Sequence, residues 1–215
     1  MERDAFIARV KAAARAARLP DADPPGLVVP DLPEVDLTEA FVAALGRVGG
    51  VAHRDDPVEV VLALADRLGT SEYLGWDDEW LPPGVGAGLR HGGLSALAGD
   101  VPSDAEGRRR HQSGYFDVVL GVTGAEAGFA ETGTVVIRSG PGRPRMASLI
   151  PEVHVVILAE EAICRSLAHW AEANAGAIVD AANVVFVTGP SRTGDIEMRL
   201  NVGVHGPREV HVILV

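Results

Sequence analysis

Apolar positions follow two different spacings along this chain, and the change from one to the other near residue 117 divides it. Phe6, Val10, Ala13 and Ala17 stand three and four residues apart, which predicts an amphipathic helix ending near Leu19-Pro20. Prolines 20, 24, 25, 30 and 33 then mark an extended linker. Thr38 to Val48 reads as a second helix stopped by Gly49-Gly50, with a short strand at Val51 to His53. A third helix has a complete set of end signals: Asp56 as N-cap, Pro57 at the first helical position, Glu59 completing a capping-box pattern and Gly69 at the end. Residues 76 to 114, with Trp76, Trp80 and a glycine-rich Pro83 to Gly93, carry no period that assigns them. Trp76 and Trp80, four residues apart, read as packing residues.

Beyond residue 117 the apolar residues come in short β-branched runs: Val118 to Val122, Thr134 to Ile137, Val153 to Leu158, Val184 to Val187 and Val210 to Val215. Continuous runs of this kind belong to strands covered on both faces. The helical stretch Glu160 to Ala173 lies between two of them, as in a βαβ unit, and places Cys164 in a helix as an inert core thiol. The predicted fold is α/β, a sheet sandwiched by helices. The expected boundaries are an N-terminal helix and proline-rich linker over residues 1–36 and an α/β domain over 37–215. The unsatisfied stripe of the first helix reads as a docking arm and leaves a homo-oligomer open.

Composition narrows the function classes. The 215 residues carry a formal net charge of −11, which disfavours broad nucleic-acid or acidic-membrane surfaces. The excess is uneven: residues 1–131 hold 12 basic against 22 acidic residues, whereas residues 132–215 hold 7 against 8. A small anionic ligand is therefore sought in the second part. Lys11 is the sole lysine, which argues against a Walker A loop and against Schiff-base chemistry. The sole cysteine, Cys164, rules out an internal disulfide and a cluster or Cys-ligated zinc held by this chain alone. No apolar run reaches membrane-span length and no signal-peptide core is present, so a cytoplasmic protein without membrane contact is expected.

Three glycine-bearing turns adjoin the strands: Gly121 to Thr134, Thr188 to Asp195 and Gly203 to Pro207. Ligands in open α/β sheets gather at strand carboxyl ends and helix N-termini, and the second turn fits that rule best. Ser191, Arg192 and Thr193 supply two hydroxyls and a guanidinium, a cradle for carboxylate or phosphate ahead of a helix expected to begin near Asp195. Alternatively Ser191 or Asp195 only caps that helix and Arg192 pairs with a carboxylate. Glu131, ahead of Thr132, Gly133 and Thr134, fits a general base, a nucleophile forming an acyl anhydride, or an Arg-paired turn glutamate. Arg138, Arg143 and Arg145 sit in a glycine- and proline-rich loop able to close over an anion or to lie solvated. His154 and His205 are the histidines nearest these turns. No spacing supports a metal site, and no flavin, nicotinamide or other cofactor motif is evident.

Together, Thr123-Gly-Ala-Glu-Ala, Ala130-Glu-Thr-Gly-Thr134, Arg145 with Leu149-Ile-Pro-Glu-Val-His154, Thr188-Gly-Pro-Ser-Arg-Thr-Gly-Asp-Ile-Glu197 and Gly203-Val-His-Gly-Pro207 resemble the lactate-utilisation protein C family, built on the LUD domain. The resemblance is dense from about residue 115 onward. It implies a three-layer α/β/α sandwich like the NagB/RpiA/CoA transferase-like fold. It also implies a part in oxidising L-lactate to pyruvate in company with iron–sulfur proteins. With one cysteine this chain is then a non-redox component. The expected site has Glu131 and His205 as catalytic residues, with Thr132, Gly133, Thr134, Arg145, Ser191, Arg192, Thr193 and Asp195 as ligand contacts. Two other readings stay open: a freestanding acyl-transferase-like or isomerase-like enzyme, and an interaction subunit for the iron–sulfur proteins.

Overall fold

The computed structural model describes residues 3–17, 35–97, 99, 104–107, 109, 114–115, 117–176, 181–193, 201–203 and 205–215. Helix α1 (Arg3–Ala16) forms where its period predicts, and its apolar stripe faces solvent, with Phe6 53% exposed and Val10 51%. The proline-rich linker lies outside the described residues. Helix α2 (Leu37–Arg47) starts at Asp36, whose side chain accepts from the Glu39 N–H, and leads into β1 (Val51–His53). At α3 (Pro57–Leu68) the Asp56 carboxylate accepts from the N–H groups of Val58 and Glu59, and Gly69 ends the helix in the left-handed region at φ 65°.

The stretch from 76 to 114, unassigned by pattern, contains real elements. After β2 (Glu72–Gly75) come a 3-10 turn (Asp78–Trp80), α4 (Val85–His91) and β3 (Ser95–Leu97). Then follow β4 (Leu120–Gly124), β5 (Ala127–Phe129), β6 (Thr134–Ser139), a 3-10 turn (Arg145–Ser148), β7 (Val153–Leu158) and β8 (Ile163–Cys164). The last elements are α5 (Leu167–Ala173), β9 (Asn183–Val187), β10 (Arg192–Thr193), β11 (Asn201–Val202) and β12 (Glu209–Leu214).

Six of the described strands form a sheet in the order β1-β12-β7-β4-β2-β3, and every neighbouring pair in it is parallel. Strands β4 and β7 are buried at every position, as their largely apolar runs require, and their polar residues Thr123 and His154 pair with each other. One core cluster joins Phe41 and Leu45 of α2, Val61 and Leu64 of α3 and Leu89 of α4 to Val122, Val155, Val212 and Leu214 of the sheet. A second cluster packs Leu74, Tyr115, Val118 and Ala147.

The smaller sheet, β8-β5-β6-β9, corrects the βαβ expectation. Strand β9 pairs antiparallel with β6, not beside β7, so the stretch from Glu160 to Ala173 does not cross between neighbours of one parallel sheet. That stretch also divides into a 3-10 turn, β8 and α5, and Cys164 lies in the strand, half-buried. Burial raises the pKa of its thiol. In the main sheet the chain passes from β2 outward to β3, returns to β4 on the other flank of β2, and continues through β7 to β12. Right-handed crossovers then leave β2 and β4 toward opposite faces, so a topological switch point lies between their carboxyl ends.

Candidate functional site

The loop between β5 and β6 is fixed by its glycine. Gly133 has φ 67°, and a Cβ there would stand 2.3 Å from the backbone nitrogen of Leu45, so only glycine lets the loop close on α2. The Gly133 N–H donates to Phe129 O, and the Glu131 N–H donates to Arg165 O. From this frame the Glu131 side chain reaches solvent. Behind it runs a row of hydroxyls: Thr132 Oγ1 lies 2.6 Å from Thr134 Oγ1, which lies 2.8 Å from Thr188 Oγ1. The register of β6 against β9 opposes Val135 to Val187, which brings the first and second turns together.

The second turn is in turn bound to the third. Ser191 N–H donates to Pro207 O at 2.8 Å, Gly203 N–H donates to Ser191 O at 2.9 Å, and β10 pairs antiparallel with β11. Arg192 donates from Nη2 to Val48 O at 2.6 Å, so it holds the end of α2 rather than a carboxylate. Thr193 lies in β10, His205 is exposed on the third turn, and Asp195, with the helix start expected there, lies outside the described residues. Since β9 belongs to the smaller sheet, the second turn does not sit at a carboxyl end of the parallel sheet. It lies beside the end of α2, next to the start of β1.

The structure thus gathers Thr132, Gly133, Thr134, Ser191 and Arg192 around the end of α2, with Glu131 on the same loop. Arg145 is elsewhere, beyond the other end of β6, about 17 Å of strand away. There it lines a pocket of about 480 Å³ with Ser139, Gly140, Pro141, Ala182 and Asn183. Beside the third turn, a cleft of about 430 Å³ is lined by Gly203, Gly206, Asp117, Glu152 and Arg208, among others. Arg208 and Glu152 are 3.7 Å apart across it. Neither Arg208 nor Glu152 stood out in the sequence, although Glu152 directly precedes the run Val153 to Leu158 and Arg208 lies two residues before the run Val210 to Val215.

At the carboxyl ends of β2 and β4 a different cluster forms. Trp76 is buried, Trp80 is 42% exposed, and the guanidinium carbon of Arg143 lies 3.9 Å from the Trp80 ring centre and 5.9 Å from that of Trp76. Trp80 is thus a stacking partner as well as a packing residue. Arg138 pairs with Glu126 at 2.5 Å. His154 lies beside the first glycine-bearing stretch, fully buried in β7 with Nε2 2.9 Å from Thr123 Oγ1, as a core residue. Burial depresses its pKa to about 3, so the imidazole is neutral. A last network, also missed, links β1, β12 and α3. His53 Nε2 meets His211 Nδ1 at 2.9 Å, His211 Nε2 meets Glu209 at 3.0 Å, and Glu209 accepts two hydrogen bonds from Arg67. Desolvation, and then His211, lower the pKa of His53. Among the described residues no group of three His, Cys, Asp or Glu side chains is placed to hold a metal ion.

The LUD domain family model matches residues 40–215. The chain belongs to the LUD domain family. It is similar to a lactate utilization protein C from Deinococcus radiodurans, 31% identical over 203 residues, covering 93% of this chain and 89% of that protein. A protein of the same name from an Exiguobacterium species is 40% identical over 100 residues, 45% of this chain, and the match spans only 44% of that relative's length. A solved structure of a DUF162 family protein from D. radiodurans superposes with a TM-score of 0.59 at 20% identity, covering 85% of this chain and 99% of that one. The LUD match takes in all three turns and the Trp80–Arg143 cluster, while α1 lies outside it.

Proposed function

We propose that this LUD domain protein serves L-lactate utilisation as a non-redox component, binding a small carboxylate or phosphorylated ligand at the joined turns. The observation that carries the reading is the joining itself. The Thr134–Thr188 contact at 2.8 Å and the Ser191–Pro207 hydrogen bond at 2.8 Å bind three glycine-bearing turns into one frame, from which Glu131 and His205 project. A frame whose own polar groups are satisfied holds a few free groups in fixed positions, as a binding site requires. Ser191 and the Arg192 N–H groups that Val48 O leaves free supply donors, Thr132 and Thr134 hold the frame, and Glu131 and His205 orient the ligand or act on it. The names of the relatives supply lactate as the metabolic context. With one cysteine in 215 residues, this reading leaves electron transfer to iron–sulfur partner proteins. It also takes the fold to be a three-layer sandwich of the sugar-phosphate isomerase and coenzyme A transferase kind.

Thermal unfolding with lactate, pyruvate, a sugar phosphate or an acyl-coenzyme A tests the reading. A ligand at about 100 times its Kd adds about 2.7 kcal/mol, a shift of several degrees, and Glu131→Gln should reduce it. Equal shifts in the wild type and Glu131→Gln would remove that carboxylate from the site. A labelled acyl group on Glu131 after incubation with the acyl-coenzyme A would replace this reading with acyl transfer. One observation favours an additional docking role: the exposed Phe6, Ile7 and Val10 of α1. Removal of residues 1–19 should then abolish co-purification with iron–sulfur proteins and leave the remaining fold intact.

A further inference from the structure

We propose that the crevice between the carboxyl ends of β2 and β4 is a second, separate oxyanion site, in which Arg143 receives a carboxylate or phosphate group. Two arginines, Arg138 and Arg143, share this corner with Glu126, and Arg138 holds that carboxylate in an ion pair at 2.5 Å. Arg143 has no ion pair among the described residues. Asp78 is engaged by Arg90, and Asp77 directs a carboxylate oxygen at Gly142 without pairing with Arg143. Among the described residues Arg143 Nε is closed to solvent and has no hydrogen-bond partner, as with Trp76 Nε1 beside it; Arg138 Nε also lacks a well-aligned hydrogen bond but has the Glu126 carboxylate against it. A partly buried cation without an ion pair favours an anion on its remaining terminal N–H groups. Burial, followed by repulsion from Arg138, lowers the pKa of Arg143, and the Glu126 carboxylate offsets part of that shift without forming an ion pair with it.

The geometry is that of a built receptor. Gly140, Pro141, Gly142 and Arg143 form a tight turn, with Arg143 N–H donating to Gly140 O at 3.0 Å and Gly142 at φ 68°. The turn sets the guanidinium against the face of Trp80 at 3.9 Å, which fixes the cation and leaves its terminal N–H groups at the rim. A side chain at position 140 would stand 3.1 Å from Arg143 Nη2, so glycine there lets the guanidinium settle. Gly140 and Pro141 of the same turn also line a neighbouring pocket of about 480 Å³ that Arg145 borders. The position is the topological switch point of the sheet, where open α/β sheets offer their crevice. The joined turns lie by the end of α2, so this site does not rest on the proposal made for them.

Inorganic phosphate and pyruvate, titrated at fixed ionic strength while tryptophan fluorescence is followed, test the site. Saturable quenching is expected in the wild type, at least tenfold weaker in Arg143→Met and unchanged in Glu131→Gln. Phosphate binding without pyruvate binding would identify a phosphorylated ligand, and the reverse a carboxylate. Arg143→Lys keeps the charge but not the fork of donors, and should bind at least fivefold more weakly. If Arg143→Met does not fold, that lysine variant carries the test alone. No saturable response to either anion in the folded wild type, or equal affinity in the wild type and the Arg143 variants, overturns the proposal. Quenching abolished by Glu131→Gln and retained in Arg143→Met would place the anion at the joined turns instead.

Discussion

The turns gathered at the end of α2 and the crevice beyond β2 and β4 treat polar groups in opposite ways. In the turns, Thr132, Thr134 and Thr188 bond to one another, and Arg192 is engaged by the Val48 carbonyl. In the crevice, Arg143 Nε and Trp76 Nε1 are buried without acceptors, and the Glu126 carboxylate is held by a different arginine. Both regions are rich in glycine and both contain arginine, so composition does not distinguish them. What distinguishes them is whether the polar groups are already satisfied. A satisfied cluster is a frame that contributes to stability and positions the groups projecting from it, whereas an unsatisfied one is stabilised by its ligand.

That contrast is open to measurement. The largest effect is expected at Gly133→Ala, about 3 kcal/mol of lost stability in urea unfolding, because positive φ and a backbone contact at 2.3 Å act together. Gly142→Ala shares the positive φ but meets only side-chain ends of Asp77 and Trp80 at 2.9 Å, and should cost about 1 kcal/mol. Equal costs would show that the α2 contact is not what holds the turns.

Thr134→Val breaks the hydroxyl row and should cost about 1–2 kcal/mol, whereas Arg143→Met, without added anion, should stay within about 0.5 kcal/mol of the wild type. If the methionine variant loses more than the valine variant, the crevice is as satisfied as the turns and the comparison fails.

Between the two regions, His154 sets a pH dependence. In the folded protein it stays neutral down to a pKa of about 3, while the unfolded chain takes up a proton near 6.5. Between these values the unfolded state binds more protons, so the stability present above pH 6.5 is lost as the pH falls, on the order of 1 kcal/mol per pH unit. His53 acts in the same direction. Urea midpoints at pH 7, 6 and 5 measure the slope, and His154→Leu should flatten it. A small effect is expected at Arg192→Ala, about 0.5 kcal/mol, because the hydrogen bond to Val48 O is exposed. Circular dichroism melts would detect it, and a loss several times larger would make Arg192 a main tie between the second turn and α2.

Legibility in the sequence followed the range of the interactions concerned. Asp56, Pro57 and Gly69 delimit α3 as predicted, because capping acts within one helical turn. Strand β7 occupies the predicted run Val153 to Leu158 because burial on both faces makes the run continuous. Strands β5 and β8, three and two residues long, have too little length for a period and exist through their partners. The same limit hid β2, where only Tyr73, Leu74 and Gly75 are buried. At the candidate site, the motifs of the first and second turns were readable, and their joining through Thr134 and Thr188 was not, since 54 residues separate them.

By itself the sequence determined the helix ends, the buried strands, the acidic balance and the family to which the motifs point. Each follows from neighbours in the chain or from composition. Only the tertiary structure decided that β9 turns away from the parallel sheet to pair with β6, that Arg145 lies at the far end of that strand, and that Glu126 forms its ion pair with Arg138. The physical reason is that a hydrogen bond or ion pair depends on a few ångströms of separation, and the packing of distant segments sets that separation.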